Sequence, residues 1–253
     1  MIEVQDLTRR YGERLAVDGV SFRVEAGELL ALVGASGSGK TTTLKMINRL
    51  VTPTAGRVRV EGEDAATIGT HRLRRRIGYV FQGVGLFPHM SVGENVAVPL
   101  RLAGWKEPRA QARVTELLAL VELDPQLAGR RPSDLSGGQQ QRVGVARALA
   151  VSPRVMLLDE PFGALDPLTR DRLQQSFREL RRRLDLTAVL VTHDMAEALL
   201  LADRVGVMNA GRLVQVGTPA ELLRAPADDH VALLLSTPRR QARRLDELLG
   251  GGG

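Results

Sequence analysis

Apolar and polar positions follow distinct rhythms along the chain, and the rhythm changes at definable points. Ile2, Val4 and Leu7, then Leu15-Ala16-Val17, then Val20-Ser21-Phe22-Arg23-Val24 read as short strands near the N-terminus. Leu29-Leu30-Ala31-Leu32-Val33 is a continuous apolar run, which predicts a strand buried on both faces. A glycine-rich stretch from Gly34 to Gly39 follows it, and Lys40 to Leu50 has helical composition. Arg57-Val58-Arg59-Val60 alternates like a half-exposed strand, and Ile77 to Gln82 reads as another strand ending in a loop.

From Val92 to Ala150 the composition turns helical. Val114, Leu117, Leu118 and Val121 put one apolar stripe on a helix spanning 110–123, so this stretch predicts an inserted helical lobe. Buried-strand patterns return at Val155-Met156-Leu157-Leu158 and at Ala188-Val189-Leu190-Val191. Val205 to Met208, a turn at Asn209-Ala210-Gly211, and Arg212 to Val216 make a hairpin. The tail from Pro219 is helical and ends in Gly250 to Gly253. Strands alternating with helices predict an α/β domain with a largely parallel sheet.

Composition narrows the class. With 43% hydrophobic and 25% charged residues, the chain falls among globular domains. The absence of cysteine excludes disulfides, cysteine zinc sites and thiol catalysis. The longest apolar candidate, from Ala196 to Met208, is interrupted by Glu197, Asp203 and Arg204, so no membrane span is expected. Met1-Ile2-Glu3-Val4 brings an acidic residue early, which does not suit a signal peptide. The net charge of +6 is almost wholly arginine, clustered from His71 to Arg76 and from Arg178 to Arg183. Both clusters read as solvated helix faces rather than polyanion sites.

Chemistry concentrates in three places. Gly34-Ala35-Ser36-Gly37-Ser38-Gly39-Lys40-Thr41 matches the phosphate loop G-x-x-x-x-G-K-[ST], after a buried strand and before a helix. Glycines let successive backbone N–H groups turn onto a phosphate, and the helix adds its positive end. Lys40 would reach the β- and γ-phosphates, and the Thr41 hydroxyl would ligate Mg²⁺. Asp159-Glu160 ends a buried strand: Asp159 is placed to hold Mg²⁺ through water, and Glu160 to polarise an attacking water as general base. Leu135-Ser136-Gly137-Gly138-Gln139-Gln140-Gln141-Arg142 opens a further helix; it is either a second anion cradle or a serine-capped helix start.

With these motifs in order, the chain resembles the ATPase subunits of ATP-binding-cassette transporters, whose diagnostic sequence is L-S-G-G-Q. The resemblance implies a P-loop NTPase fold: a RecA-like, mainly parallel sheet core, an N-terminal antiparallel β subdomain, and a helical subdomain inserted at about 92–150. It implies ATP and Mg²⁺, and a head-to-tail homodimer in which Ser136, Gly137 and Gly138, with Gln139, grip the γ-phosphate held by the other subunit. Tyr11 would stack on adenine, and Thr42 would join the phosphate loop's contacts. Gln82 would sense Mg²⁺ and the attacking water. Asp166, in Ala164-Leu165-Asp166, would belong to the dimer-contact loop, and His193 would be the switch histidine near the γ-phosphate.

The implied partners are transmembrane permease subunits and an extracytoplasmic solute-binding protein, with no nucleic acid expected. The place would be peripheral, at the cytoplasmic face of the inner membrane. The ATPase domain would span 1–236, leaving 237–253 as a helical, glycine-ended tail with no regulatory domain. A finer similarity, to importers of glycine betaine, choline and carnitine, rests on Thr41 to Leu50, Ile77 to Val80, Gly85 to Met90 and Glu160 to Asp171. Gly83 departs from it, standing where many relatives have a second glutamine. An exporter subunit and a nucleic-acid ATPase of the same superfamily are the competing readings.

Overall fold

The computed structural model describes residues 1–163 and 165–250. Two sheets organise it. In the first, β1 (Ile2–Tyr11) and β2 (Arg14–Val24) pair antiparallel across a tight turn. The separate short strands expected at Leu15 to Val17 and Val20 to Val24 are one strand. Register shifts in the β1–β2 ladder let it continue where the apolar alternation breaks. β4 (Ala55–Val60) adds to β1, and β5 (Glu63–Asp64) to β4, giving the order β2-β1-β4-β5.

The second sheet carries the site. Its order is β10 (Arg212–Gly217), β9 (Arg204–Asn209), β3 (Leu29–Val33), β8 (Thr187–Val191), β7 (Val155–Asp159) and β6 (Ile77–Val80). The strands from β9 to β6 run parallel, and β10 lies antiparallel on β9. Every residue of β3, β7 and β8 is buried. Leu29, Ala31 and Val33 of β3 enter one hydrophobic cluster, and Leu30 and Leu32 enter another on the opposite face. That is why these strands read as unbroken apolar runs: each face is covered, and each buried Val or Leu contributes about 2 kcal/mol.

α1 (Lys40–Ile47) packs on one face, with Leu44, Met46 and Ile47 in the cluster shared with β1, β2 and β4. It stops short of Leu50 because Arg49 adopts φ 55°, which a right-handed helix cannot continue. α2 (Thr70–Arg76) precedes β6. On the opposite face α5 (Gly137–Ala148) packs against β6, α3 (Val92–Leu102) and α4 (Glu107–Leu120) pack on α5, and α6 (Pro167–Arg183) joins the same hydrophobic cluster. The amphipathic helix expected over 110–123 starts earlier and ends earlier, at α4's bounds, although Val121 and Leu123 remain buried beyond it. α7 (Met195–Leu201), α8 (Pro219–Arg224) and α9 (Asp229–Gly250) follow, and α9 runs unbroken through residue 237. Among the described residues no helix is long and apolar enough to cross a membrane.

The basic clusters need one correction. Arg181 is not on a solvated face; it is 6% exposed, donating to the Gly27 carbonyl at 2.5 Å and to Asp203 at 2.8 Å. It lies on the α6 face that also buries Leu173, Phe177 and Leu180, so its stem packs while its guanidinium finds oxygen partners. The His71 to Arg76 cluster stays largely exposed apart from Leu73, with Arg76 bonded to Glu63 at 2.6 Å.

Candidate functional site

The phosphate-loop sequence joins the end of β3 to the start of α1. Two of its glycines are dictated by close approach. Gly34 has φ 151°, and a Cβ there would lie 2.1 Å from the Met208 carbonyl oxygen; at Gly39, φ 101°, it would lie 2.6 Å from the Ala16 carbonyl oxygen. At these two positions the loop is pressed against β9 and β2 with no room for a side chain.

Lys40 curls over this loop. Its Nζ donates to the carbonyls of Gly34 and Ala35, both at 2.8 Å, and lies 3.4 Å from Ser38 Oγ. It is 5% exposed, and burial lowers its pKa, while the charges of Glu160 and Asp159 act the other way. The ammonium is held by neutral oxygens rather than by a carboxylate, so its charge is available to an anion at the loop mouth.

Asp159 ends β7 and is 2% exposed. Thr41 donates to its Oδ1 at 2.7 Å, and the Tyr79 hydroxyl to its Oδ2 at 3.3 Å. Burial first, and then the Asp159 charge, push the Tyr79 phenol well above its usual range, so it stays a donor.

The next residue turns the chain. Glu160 has φ 47°, a left-handed conformation that costs a non-glycine residue on the order of 1 kcal/mol, and its N–H donates to the Val191 carbonyl at 2.9 Å. The reversal puts its carboxylate in the same cleft as Lys40. Gln82 Nε2 donates to Glu160 Oε2 at 3.2 Å, and His193 Nδ1 lies 3.4 Å from that same oxygen. Gln82, Glu160 and His193 follow the C-terminal ends of β6, β7 and β8, three adjacent parallel strands. Ligands of open α/β sheets bind at that edge.

A cleft of about 460 Å³ collects these groups: Ser36, Gly37, Gly39, Lys40, Thr41, Thr42, Gln82 and Glu160 face Tyr11. Tyr11 is half exposed, with the Arg9 guanidinium 4.3 Å from its ring centroid. Arg14 and Ala16 line the cleft as well, and sequence reasoning missed both. The turn between β1 and β2 brings them there, and no pattern near Arg14 announces it.

His193 stands on a braced loop. Asp194 caps α7 by accepting from the amides of Ala196 and Glu197, and its own N–H donates to Thr192 Oγ1 at 3.0 Å. The Thr192 hydroxyl donates to Glu197, which also accepts from Gln174 at 3.0 Å. Burial is the main cause that pushes the Glu197 carboxyl above the usual range.

The second cradle lies apart from the cleft. Ser136 caps α5, its Oγ accepting from the Gln139 amide, while Gln139 Oε1 accepts from the Ser136 amide at 2.9 Å. Within one chain this is a satisfied capping box, the blander of the two readings of that motif. A Cβ at Gly138 would meet Thr169 at 2.4 Å, so that glycine lets α5 sit against α6. Asp166 caps α6 through the Thr169 amide at 3.1 Å; Ala164 beside it lies outside the described residues.

The donor set fits Mg²⁺ bound together with a polyphosphate. Among the described residues no cluster of three or more His, Asp or Glu could hold a metal ion unaided. Thr41 and Asp159 offer hard oxygens, and Mg²⁺ commonly takes one or two protein ligands plus phosphate and water.

A family model described as ABC transporter matches residues 17–163. The choline transport ATP-binding protein OpuBA of Bacillus subtilis (strain 168) is 48% identical over 240 residues, covering 94% of this chain and 63% of that protein. The sulfate/thiosulfate import ATP-binding protein CysA of Xylella fastidiosa (strain 9a5c) is 51% identical over 234 residues, covering 91% of this chain and 66% of that protein. The chain therefore spans just under two thirds of the length of either relative. Among solved structures, the ATP-binding cassette MJ0796, a dimer in a post-hydrolysis state bound to ADP and Pi, aligns with a TM-score of 0.78. It is 33% identical, with 87% of this chain and 99% of that chain covered. With its phosphate loop, strand-end carboxylates and L-S-G-G-Q helix on this fold, the chain belongs to the ABC transporter family.

Proposed function

We propose that this chain is the ATP-hydrolysing motor subunit of a membrane importer. The observation that carries the reading is the convergence of Gln82 and His193 on Oε2 of Glu160, at the edge of a cleft floored by Lys40 and Thr41. The loop amides and Lys40 hold the β- and γ-phosphates. Thr41 and Asp159 hold Mg²⁺, which supplies charge neutralisation on the phosphate oxygens. Glu160 accepts a proton from the attacking water and orients it in line, with Gln82 and His193 keeping that carboxylate aimed. Tyr11 packs on the adenine ring.

Hydrolysis requires a second copy. Ser136, Gly137 and Gly138 lie outside the cleft of their own chain and serve the cleft of the partner, releasing the capping box to reach the γ-phosphate. Asp166 sits at the dimer contact. The dimeric arrangement of the MJ0796 cassette supports this pairing.

The permease engages beside Gln82. The chain from Phe87 to Ser91 is pinned by buried Asn95, which accepts from the Phe87 amide at 2.8 Å and donates to the Ser91 carbonyl at 2.9 Å. Arg147 of α5 donates to the carbonyls of Gly85 at 2.8 Å and Val84 at 2.9 Å. The loop after Gln82 and the helix headed by Ser136 therefore move together. Phe87 remains 40% exposed, free to meet an apolar partner. The chain sits peripherally at the cytoplasmic face of the membrane, in a complex completed by an extracytoplasmic solute-binding protein.

The solute is an osmoprotectant such as glycine betaine, choline or carnitine. The finer motif resemblance and the choline relative support this, while the sulfate/thiosulfate relative supports an inorganic anion as the second reading. Phosphate release measured against protein concentration tests the motor. A more than linear rise, lost in Glu160→Gln and indifferent to DNA or RNA, is the expected result; strong stimulation by nucleic acid overturns it. Uptake of labelled choline against labelled sulfate, in vesicles carrying the assembled complex, separates the two solute readings.

A further inference from the structure

A groove of about 390 Å³ lies next to the nucleotide cleft. It is lined by Tyr79 and Phe81 from the β6 segment, Pro99 and Leu102 of α3, and Arg147 and Ala148 of α5. Phe81 and Leu102 are exposed there, at 41% and 69%. The rings of Tyr79 and Phe81 pack with their centroids 4.4 Å apart, tilted by 48°. Tyr79 thus has one end in the groove and its hydroxyl on Oδ2 of Asp159.

The two oxygens of Asp159 are consequently divided. Tyr79 occupies Oδ2 from the groove side, and Thr41 occupies Oδ1 from the phosphate-loop side. A carboxylate turns about its Cβ–Cγ bond over a broad range, so a donor on one oxygen sets where the other points. With Asp159 2% exposed, water is poorly placed to replace a lost donor.

We propose that Tyr79 is a positioning residue that aims Asp159 at the Mg²⁺ site, with the Phe81 ring packed against it helping to hold its hydroxyl in place. The proposal rests on the nucleotide-site reading above. The Phe81 ring packs against the Tyr79 ring, the Tyr79 hydroxyl holds Oδ2, and Oδ1 of Asp159 is thereby left aimed at the metal. Tyr79 thus acts on the metal ligand by a route separate from the contact between Gln82 and Glu160.

The test uses the full chain and a fluorescent ATP analogue. Nucleotide binding is titrated with Mg²⁺ and repeated in EDTA, for the wild type, Tyr79→Phe and Phe81→Ala. Tyr79→Phe keeps the ring and removes only the hydroxyl, and its melting curve establishes that it folds. The expected result is a Mg²⁺ midpoint raised about five-fold or more, with nucleotide affinity in EDTA unchanged. Phe81→Ala, which leaves the hydroxyl in place, is expected to raise the midpoint by a smaller factor. An unchanged or lowered midpoint in Tyr79→Phe overturns the positioning role. A wild-type midpoint in Phe81→Ala overturns the part given to the Phe81 ring. If the wild type itself binds no nucleotide, the site reading fails first, and the two failures are told apart.

Discussion

The Thr41 hydroxyl meets the Asp159 carboxylate at 2.7 Å, across 118 positions of sequence. It ties the first residues of α1 to the end of β7, so the phosphate loop and the strand-end carboxylates form one unit. Replacing Thr41 by valine keeps the shape and removes the donor, leaving a buried carboxylate with one partner fewer. Mg²⁺-supported ATP binding is expected to weaken about tenfold, as loss of a hydrogen bond to a charged group does. A fluorescent-nucleotide titration checks it, and affinity equal to wild type would remove Thr41 from the metal site.

Among the described residues Glu160 is the one carboxylate that both Gln82 and His193 approach, and its backbone is held in a costly conformation to reach them. Glu160→Gln is expected to lower hydrolysis by about 10² to 10⁴ while nucleotide binding persists. His193→Ala should cost less alone, and the double variant should be little worse than Glu160→Gln, because the two act through one oxygen. Fully multiplicative losses in steady-state phosphate release would mean that they act separately.

Glu197 makes stability depend on pH. Its folded pKa lies above the ordinary value of 4.5, chiefly through burial. The protonated form is therefore favoured on folding: its contribution is whole below the unfolded pKa and is lost as pH rises through the folded one. Glu197→Gln stays neutral at every pH. Its melting temperature relative to wild type should climb over the pH range above 4.5, by roughly 2–4 °C for each kcal/mol relieved. Parallel melting curves across that range would contradict the assignment.

Gly34 has no space for a methyl group, since a Cβ would sit 2.1 Å from the Met208 carbonyl oxygen. The obstacle is backbone, so Gly34→Ala must displace the loop or β9. Loss of nucleotide binding together with a destabilisation of about 2 kcal/mol or more is expected, read by denaturant melts. Gly62→Ala is the control: its φ of 81° is similarly left-handed, but nothing lies within 4 Å of the added carbon. It should show conformational strain alone and bind nucleotide normally.

What the sequence determined by itself is whatever lies within one short stretch of chain. The apolar runs at Leu29 to Val33 and Val155 to Leu158 announced strands covered on both faces, and the phosphate-loop glycines announced backbone free to turn its N–H groups onto a phosphate. Periodicity and steric tolerance are local properties, so they can be read residue by residue. Tertiary structure decided which distant stretches meet. The strand order β8-β7-β6 brings His193, Glu160 and Gln82 to one edge, although they stand far apart in the chain. Nothing around Tyr79 marked it as a partner of Asp159, nothing around Arg14 placed it in the cleft, and the arginine row ending α6 hid the buried Arg181. Those outcomes depend on strand adjacency and on which polar groups remain to be satisfied once the sheet and its helices have packed, and a pairing of that kind exists only in the assembled fold.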